Sequence, residues 1–279
     1  MEQVKIKYNG FPEKINLNTS YFFGTRLDNI DKAAALQIIN GFLNQAKSNR
    51  TNKIYFTNVH TIHIARKNPH FNTVVNNADL VLPDGSGLKI AGWLLSKRIK
   101  ANLNGTDLLP LVLKYSEETG RKVYFLGASR EVLTKCIKKV RFQFPELKIV
   151  GCHSGYFEKD DEPLIVQDIN DSSPDILLVA MGSPVQELFI NNYADQLNVA
   201  VSFAVGGLFD FLSGDKKRAP EWLRRTGLEW LYRFFQDPKT KWERIFVEIP
   251  VFLTLVLFTR IFQQNYLTGL NKNPAAAGR

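Results

Sequence analysis

From Lys53 to about Val205 the chain repeats one pattern: a short apolar run, a small or turn residue, then a helical period. The candidate strands are Lys53–Phe56, Leu80–Leu82, Lys122–Leu126, Lys148–Gly151, Ile176–Ala180 and Val199–Val205. Between them lie helical patterns at Thr61–Asn68, Gly87–Lys97, Leu108–Thr119, Arg130–Phe144, Asp161–Asp171 and Val185–Leu197. Strands rich in Val, Ile and Leu at successive positions are buried on both faces, which a parallel sheet covered by helices on each side provides. The pattern therefore predicts an α/β fold: a Rossmann-like, mostly parallel sheet with helices on both faces. Ligands in such sheets bind beyond the carboxyl ends of the strands, so the residues that follow each strand are the first functional candidates.

The composition changes after Gly214. The expected organisation is an N-terminal segment with a first helix packing on the core (1–52), a catalytic core (53–214), a basic and aromatic helical appendage (215–262) and a mobile polar tail (263–279). The longest apolar run, Ile249–Thr259, has 11 residues between Glu248 and Arg260. A spanning helix needs about 20, so the run is expected to be buried or interfacial and not to span. The N-terminus, Met1 to Asn18, shows no apolar stretch of secretory-signal length, so the chain is expected to stay where it is made. Two cysteines, Cys136 and Cys152, make neither a disulfide framework nor a zinc site and suit a reducing compartment.

Three strand ends carry candidate chemistry. Leu80-Val81-Leu82-Pro83-Asp84-Gly85 brings a carboxylate to the mouth of a crevice, beside a glycine that permits close approach. Asp84 there can take a proton from a hydroxyl, or Asp84-Gly85 is turn chemistry with a helix cap. Met181-Gly182-Ser183-Pro184-Val185-Gln186-Glu187 turns a buried strand into a helix whose free N–H groups favour a phosphate, with Gln186 and Glu187 facing the same crevice. The alternative is a capped turn with Glu187 favouring the helix dipole. Gly206 and Gly207, with Asp210 following, allow close backbone approach to a ligand or tight helix–strand packing. Gly127-Ala128-Ser129 resembles a phosphate loop but lacks the full dinucleotide fingerprint, which disfavours a nicotinamide cofactor. His60 and His63 could share a helical face, yet no third ligand follows, so no metal is expected.

The net charge of +9 admits nucleic acid, an anionic membrane or a phosphorylated ligand. Between Lys216 and Arg244 nine Lys/Arg face four acids, a net of +5, interleaved with Trp222, Trp230, Tyr232, Phe234, Phe235 and Trp242. Arginine with tryptophan and tyrosine suits a headgroup layer or a diphosphate, and nucleic acid ranks last. The rival readings are a soluble nucleotide-binding enzyme of another class, such as an oxidoreductase, and a basic nucleic-acid-binding module.

Taken together, Thr57-Asn58, ADLVLPDGSG (78–87), NGTDLLP (104–110), VYFLG (123–127), MGSPVQE (181–187), AVGGLFDFLSG (204–214), KRAPEWLRRTGLEWLYRF (217–234) and Asp237-Pro238 resemble the WecG/TagA/CpsF glycosyltransferases. The resemblance implies a Rossmann-like (GT-E) fold with membrane-contacting C-terminal helices. It implies an inverting transferase that moves a sugar from a UDP-sugar to a polyprenyl-diphosphate-linked glycan in envelope or exopolysaccharide synthesis. The enzyme would lie peripherally on the cytoplasmic face of the bacterial inner membrane and use no cofactor. In this reading Asp84 is the general base, and Thr57, Asn58 and Gln186 belong to the catalytic set. Arg233 neutralises the leaving diphosphate, with Arg218, Arg224, Arg225 and Arg244 as further cations. Gly85, Gly127, Gly182, Ser183, Glu187, Gly206, Gly207 and Asp210 would line the substrate crevice. The run Ile249–Thr259 reads as a membrane-resting helix, or else as a packing or homo-oligomer surface.

Overall fold

The computed structural model describes residues 18–45, 50–226 and 229–272, without the side chains of Arg225, Arg233, Thr240 and residues 263–272. A hairpin of β1 (Thr19–Phe22) and β2 (Thr25–Asp28) leads into α1 (Lys32–Asn44). The core follows: β3 (Asn52–Thr57), α2 (Val59–Lys67), α3 (Pro69–Asn76), β4 (Leu80–Pro83), α4 (Ser86–Leu94), α5 (Gly105–Glu118), β5 (Lys122–Gly127), α6 (Arg130–Gln143), β6 (Lys148–His153), α7 (Glu162–Ser172), β7 (Ile176–Ala180), α8 (Val185–Asn192), β8 (Val201–Ala204) and α9 (Leu208–Ser213). The appendage adds α10 (Glu221–Arg225), α11 (Glu229–Gln236), α12 (Pro238–Glu243), a π-helical turn at Arg244–Glu248 and α13 (Ile249–Lys272).

Six strands form one sheet in the order β4-β3-β8-β7-β5-β6, every pair parallel. Right-handed crossovers dictate which helices share a face. Connections β3→β4, β6→β7 and β7→β8 run one way along the sheet, while β4→β5 and β5→β6 run the other. The two cores follow that division. Residues of α2, α3, α7 and α8, among them Ala65, Phe71, Ile169 and Phe189, bury one face with Tyr55, Val81, Tyr124 and Leu177. Residues of α1, α5, α6 and α9, among them Ile38, Leu109, Cys136 and Phe209, bury the other with Ile54, Leu80, Phe125 and Leu178.

The hairpin carries no strong apolar period, and besides Phe22 and Leu27 in the core it is held to α3 by polar bonds that a sequence scan cannot pair. Asp28, fully buried, receives the Thr19 hydroxyl, the Arg26 guanidinium and the Val81 amide N–H at 2.9 Å. The Arg26 N–H donates to Asn76 Oδ1 at 2.8 Å, which ties the hairpin to α3.

The C-terminal run differs from expectation in length. It lies in a 24-residue helix, and Lys241–Phe262 is long and apolar enough to cross a membrane, with a mean hydropathy of 2.1. Its helix has no proline after Pro250 at its start, and residues 263–272 continue it. The rest of that tail, 273–279, and the N-terminal residues 1–17 lie outside the described residues. One side of α13 packs on protein: Phe252 and Val256 join a third core with Phe22, Leu27, Ile62, Leu88, Ala91 and Leu95.

Candidate active site

All the glycine-rich turns come out at one edge of the sheet, because parallel strands deliver their carboxyl ends to the same side. The order places the turn after β3 beside that after β4, and those after β8, β7 and β5 in succession.

Asp84 follows β4 and is half-buried. Its backbone N–H donates to the Thr57 carbonyl at 2.8 Å, continuing the β3–β4 ladder one residue beyond the strand. Asn58 Nδ2 donates to Asp84 Oδ2 at 3.2 Å. Asn58 is itself immobilised, because its Oδ1 caps α2 by accepting the Thr61 N–H at 3.1 Å. One amide therefore starts a helix and orients a carboxylate. Gly85 has φ near +96°, a region that L side chains rarely adopt, and its N–H donates to Asn102 Oδ1 at 2.7 Å. Asn102, absent from the sequence candidates, completes the Asp84 turn. Thr57 is fully buried with its hydroxyl donated to the Arg26 carbonyl at 3.4 Å, so it supports the hairpin behind the crevice.

The β7 and β8 turns are joined by Gln186, which is 3% exposed. Its Oε1 accepts the N–H of Gly182 at 3.2 Å and of Gly206 at 2.8 Å, while its Nε2 donates to Glu187 Oε1 at 2.9 Å. Ser183 Oγ donates to the same oxygen at 2.6 Å. The expected view of Gln186 and Glu187 facing the crevice thus changes: both are buried and staple the two loops from behind. Burial pushes the Glu187 carboxyl above its ordinary range, against the lowering from Gln186 and Ser183. Its Oε2 is buried with no hydrogen-bond partner among the described residues. A pKa raised in the folded state means the native protein keeps a proton that the unfolded chain releases. Stability then falls as pH rises above the ordinary glutamate value of about 4.3. Glu187→Gln should flatten that fall, so melting temperatures at about pH 5 and about pH 8 lie closer together than in the parent. Thermal unfolding across this range checks it, and an unchanged gap would mean that Glu187 is charged in the fold.

Gly127 closes β5 at φ +138°, where a Cβ would sit 2.4 Å from the Ala180 carbonyl oxygen. Only glycine lets β5 and β7 stay paired up to this turn. Ser129 beyond it caps α6 through the Val132 N–H at 3.3 Å. Gly207 precedes α9, and Asp210 lies within it, 3.8 Å from Lys216 Nζ, which also reaches Asp237 at 3.6 Å. Asp210 therefore ties the core to the start of the appendage.

Arg218 is an appendage cation that pairs with the core. Its Nη1 donates to Asp107 Oδ1 in a short ion pair. Asp107 sits in the first turn of α5, whose cap Asn104 donates Nδ2 to Asp107 Oδ2 at 2.8 Å and accepts the Asp107 N–H at 3.0 Å. Burial opposes the Asp107 charge, but Arg218 and Asn104 outweigh it and hold the carboxyl below its usual range. Burial likewise works against the Arg218 charge, which Asp107 restores, with further attraction from Glu229 and Asp84. The guanidinium thus lies within the field of the Asp84 carboxylate.

The remaining arginines are placed differently. Arg224 donates Nε to the Ala219 carbonyl at 3.1 Å, and Arg244 lies 3.8 Å from Glu248. The side chains of Arg225 and Arg233 lie outside the described residues. Glu248, 4% exposed, meets His60 Nδ1 at 2.8 Å. Burial disfavours its charge, yet His60 and Arg244 keep its carboxyl below the ordinary range. Sequence reading left His60 as an unlikely metal ligand. Its use as the core's grip on the appendage, 188 residues away, leaves no local signal.

A family model for the "Glycosyl transferase WecG/TagA/CpsF family" matches residues 20–266. The chain belongs to the WecG/TagA/CpsF family of glycosyltransferases. It is therefore an enzyme, a hexosyltransferase. Among its relatives is the N-acetylglucosaminyldiphosphoundecaprenol N-acetyl-beta-D-mannosaminyltransferase of Bacillus spizizenii, 36% identical over 193 residues, or 69% of this chain and 74% of that one. The enzyme of the same name from Bacillus subtilis strain 168 is 34% identical over the same shares. That from Staphylococcus aureus strain MW2 is 29% identical over 80% of this chain and 87% of its own length. In this glycosyltransferase the strand-end motifs are contiguous in space, and the NGTD turn is the partner of the KRAP arginine.

Proposed function

We propose that this glycosyltransferase moves a sugar from a UDP-sugar to a hydroxyl of a polyprenyl-diphosphate-linked N-acetylglucosamine, with inversion at the anomeric carbon. N-acetylmannosamine is the first sugar to test, because the relatives' names specify it. The observation that carries the reading is Asp84: a half-buried carboxylate at a strand's carboxyl end, oriented by Asn58. In a single displacement Asp84 takes the acceptor hydroxyl proton as that oxygen bonds to the anomeric carbon. The bond from that carbon to the UDP oxygen breaks, and its electron pair leaves with UDP. Arginine of the appendage neutralises the growing charge, a task that preorganised cations perform best in a crevice shielded from water.

Several features support a site at a membrane surface. Leu253, Leu257, Phe258, Ile261 and Phe262 of α13 are exposed, as are Trp222, Trp230 and Trp242 of the appendage. Length alone would let α13 cross a bilayer, but its anchors argue for lying on one. Glu248 holds His60 of α2, and Arg260 Nη1 donates to the Leu94 carbonyl of α4 at 2.7 Å. Those anchors are twelve residues apart, about 18 Å of helix held along the core. An enzyme resting this way, on the cytoplasmic face where nucleotide sugars are made, meets donor from water and acceptor from lipid.

The test is a panel of UDP-sugars with a short-chain polyprenyl-diphosphate N-acetylglucosamine acceptor, reading released UDP. Acceptor-dependent UDP release with at least one sugar is expected, and none across the panel would overturn the donor assignment. Arg233→Ala should lower kcat by about 10²-fold with a much smaller change in KM, as loss of a charge contact made mainly in the transition state does. Equal kcat would remove Arg233 from the catalytic set.

A further inference from the structure

The cations of this chain are not confined to the appendage. Residues 86–103 carry Lys89, Lys97, Arg98 and Lys100 and no acid at all. They belong to α4 and the turn behind it. The inward side of α4 is settled by Leu88, Ala91 and Leu95, all buried against the hairpin, α2 and α13. Its outward side therefore shows Lys89, Ile90 at 50% exposure and Trp93 at 78%. A nearly bare tryptophan and isoleucine beside Lys89, followed in the chain by the exposed Lys97, Arg98 and Lys100, are costly in water and complementary to an anionic lipid surface, where the indole sits at headgroup level.

We propose that this outward face of α4 is a second membrane-contact surface, carried by the catalytic core itself and seated on an anionic bilayer. The inference rests on the membrane reading above and extends it from the appendage to the core. Continuity supports it. Helix α13 packs on α4 through Phe252 and Val256, and Arg260 closes the α4 C-terminus at Leu94. The exposed Trp93 and the exposed row of α13 thus flank a single seam. The consequence concerns reach. Helix α4 begins two residues after Asp84, and its nine residues span about 13 Å. An acceptor sugar carried on a lipid diphosphate stands only a headgroup's height above the bilayer. A core touching lipid at Trp93 holds the Asp84 turn at that height, whereas contact through the appendage alone would leave the core free to tilt.

The experiment uses the full chain with phosphatidylglycerol vesicles containing brominated lipid. One variant keeps Trp93 as its sole tryptophan (Trp222→Phe, Trp230→Phe and Trp242→Phe), and the complementary variant is Trp93→Phe; circular dichroism checks both folds. Bromolipid is expected to quench Trp93 emission. Lys89→Glu with Lys100→Glu is expected to weaken vesicle partitioning by at least about thirtyfold while leaving turnover on a short-chain soluble acceptor unchanged. An unquenched Trp93 with quenching in the complementary variant would overturn the proposal and leave the appendage as the membrane contact. No quenching in either variant, together with no co-sedimentation, would overturn the membrane reading as well. If Trp93 stays unquenched and Trp93→Glu converts a lipid-free dimer to monomer in sedimentation, the face joins two copies of the chain and the proposal falls.

Discussion

Replacing Asp84 with asparagine is expected to lower sugar transfer by about 10²–10⁴-fold, the usual contribution of a positioned general base. The fold should be unaffected, because two bonds that shape the turn are donated by backbone N–H groups the change leaves in place. The Asp84 N–H holds the Thr57 carbonyl, and the Gly85 N–H holds Asn102. The Asn58 amide still finds an oxygen on the new side chain. UDP binding should stay near the parent value, since the change removes proton affinity and not a donor to the nucleotide. The measurement pairs released UDP under saturating substrates with a UDP titration of the same preparation. Turnover within a few-fold of the parent would remove Asp84 from the role of base, and lost UDP binding would recast it as a ground-state contact.

The second large effect is expected at the Asp107–Arg218 pair. Asp107 grips a cation of the appendage, and its expected role is to position that guanidinium. Arg218→Ala and Asp107→Asn should each reduce kcat by roughly 10–10²-fold, the scale set by misplacing a catalytic group by about 1 Å. The double variant should be little worse than either, because the two side chains act as one unit. Arg218→Lys should recover only part of the rate, since an ammonium keeps the charge but not the guanidinium fork that meets Asp107. Steady-state kinetics on all four proteins measures the coupling. Additive losses would mean that the pair has no joint role, and parallel losses in melting temperature would assign it to stability instead.

Much of this site was legible in the chain because its signals are local. Asp84 stands after a run of apolar residues and before a glycine, and that alone places a carboxylate at a strand end. The strands from Lys53 onward were legible for the same reason, with bounds that differ from the structure by one to two residues at most ends. The hairpin was not, since Asp28, Arg26, Asn72 and Asn76 hold it through polar bonds spanning tens of residues, whereas α3 carries a local helical spacing at Phe71, Val74 and Val75 over only eight residues. The contacts of Gln186 were not legible either. A strand-to-helix turn announces that an amide follows, but only the pairing of β7 with β8 shows that its oxygen is taken by Gly182 and Gly206. The cation count is highest at Lys216–Arg244, while the significance of the acid-free stretch at α4 depends on the exposure of Trp93.

The sequence by itself determined the layered α/β architecture, the crevice at one sheet edge and the family, because apolar period and turn chemistry act within a few residues. Only the tertiary structure decided which turns are neighbours and which residues join the appendage to the core. Asp107 and Arg218 are 111 residues apart in the chain, and His60 and Glu248 are 188 apart. Contacts of that kind depend on strand order and helix packing, which are properties of the assembled sheet and have no signature in any short stretch of chain.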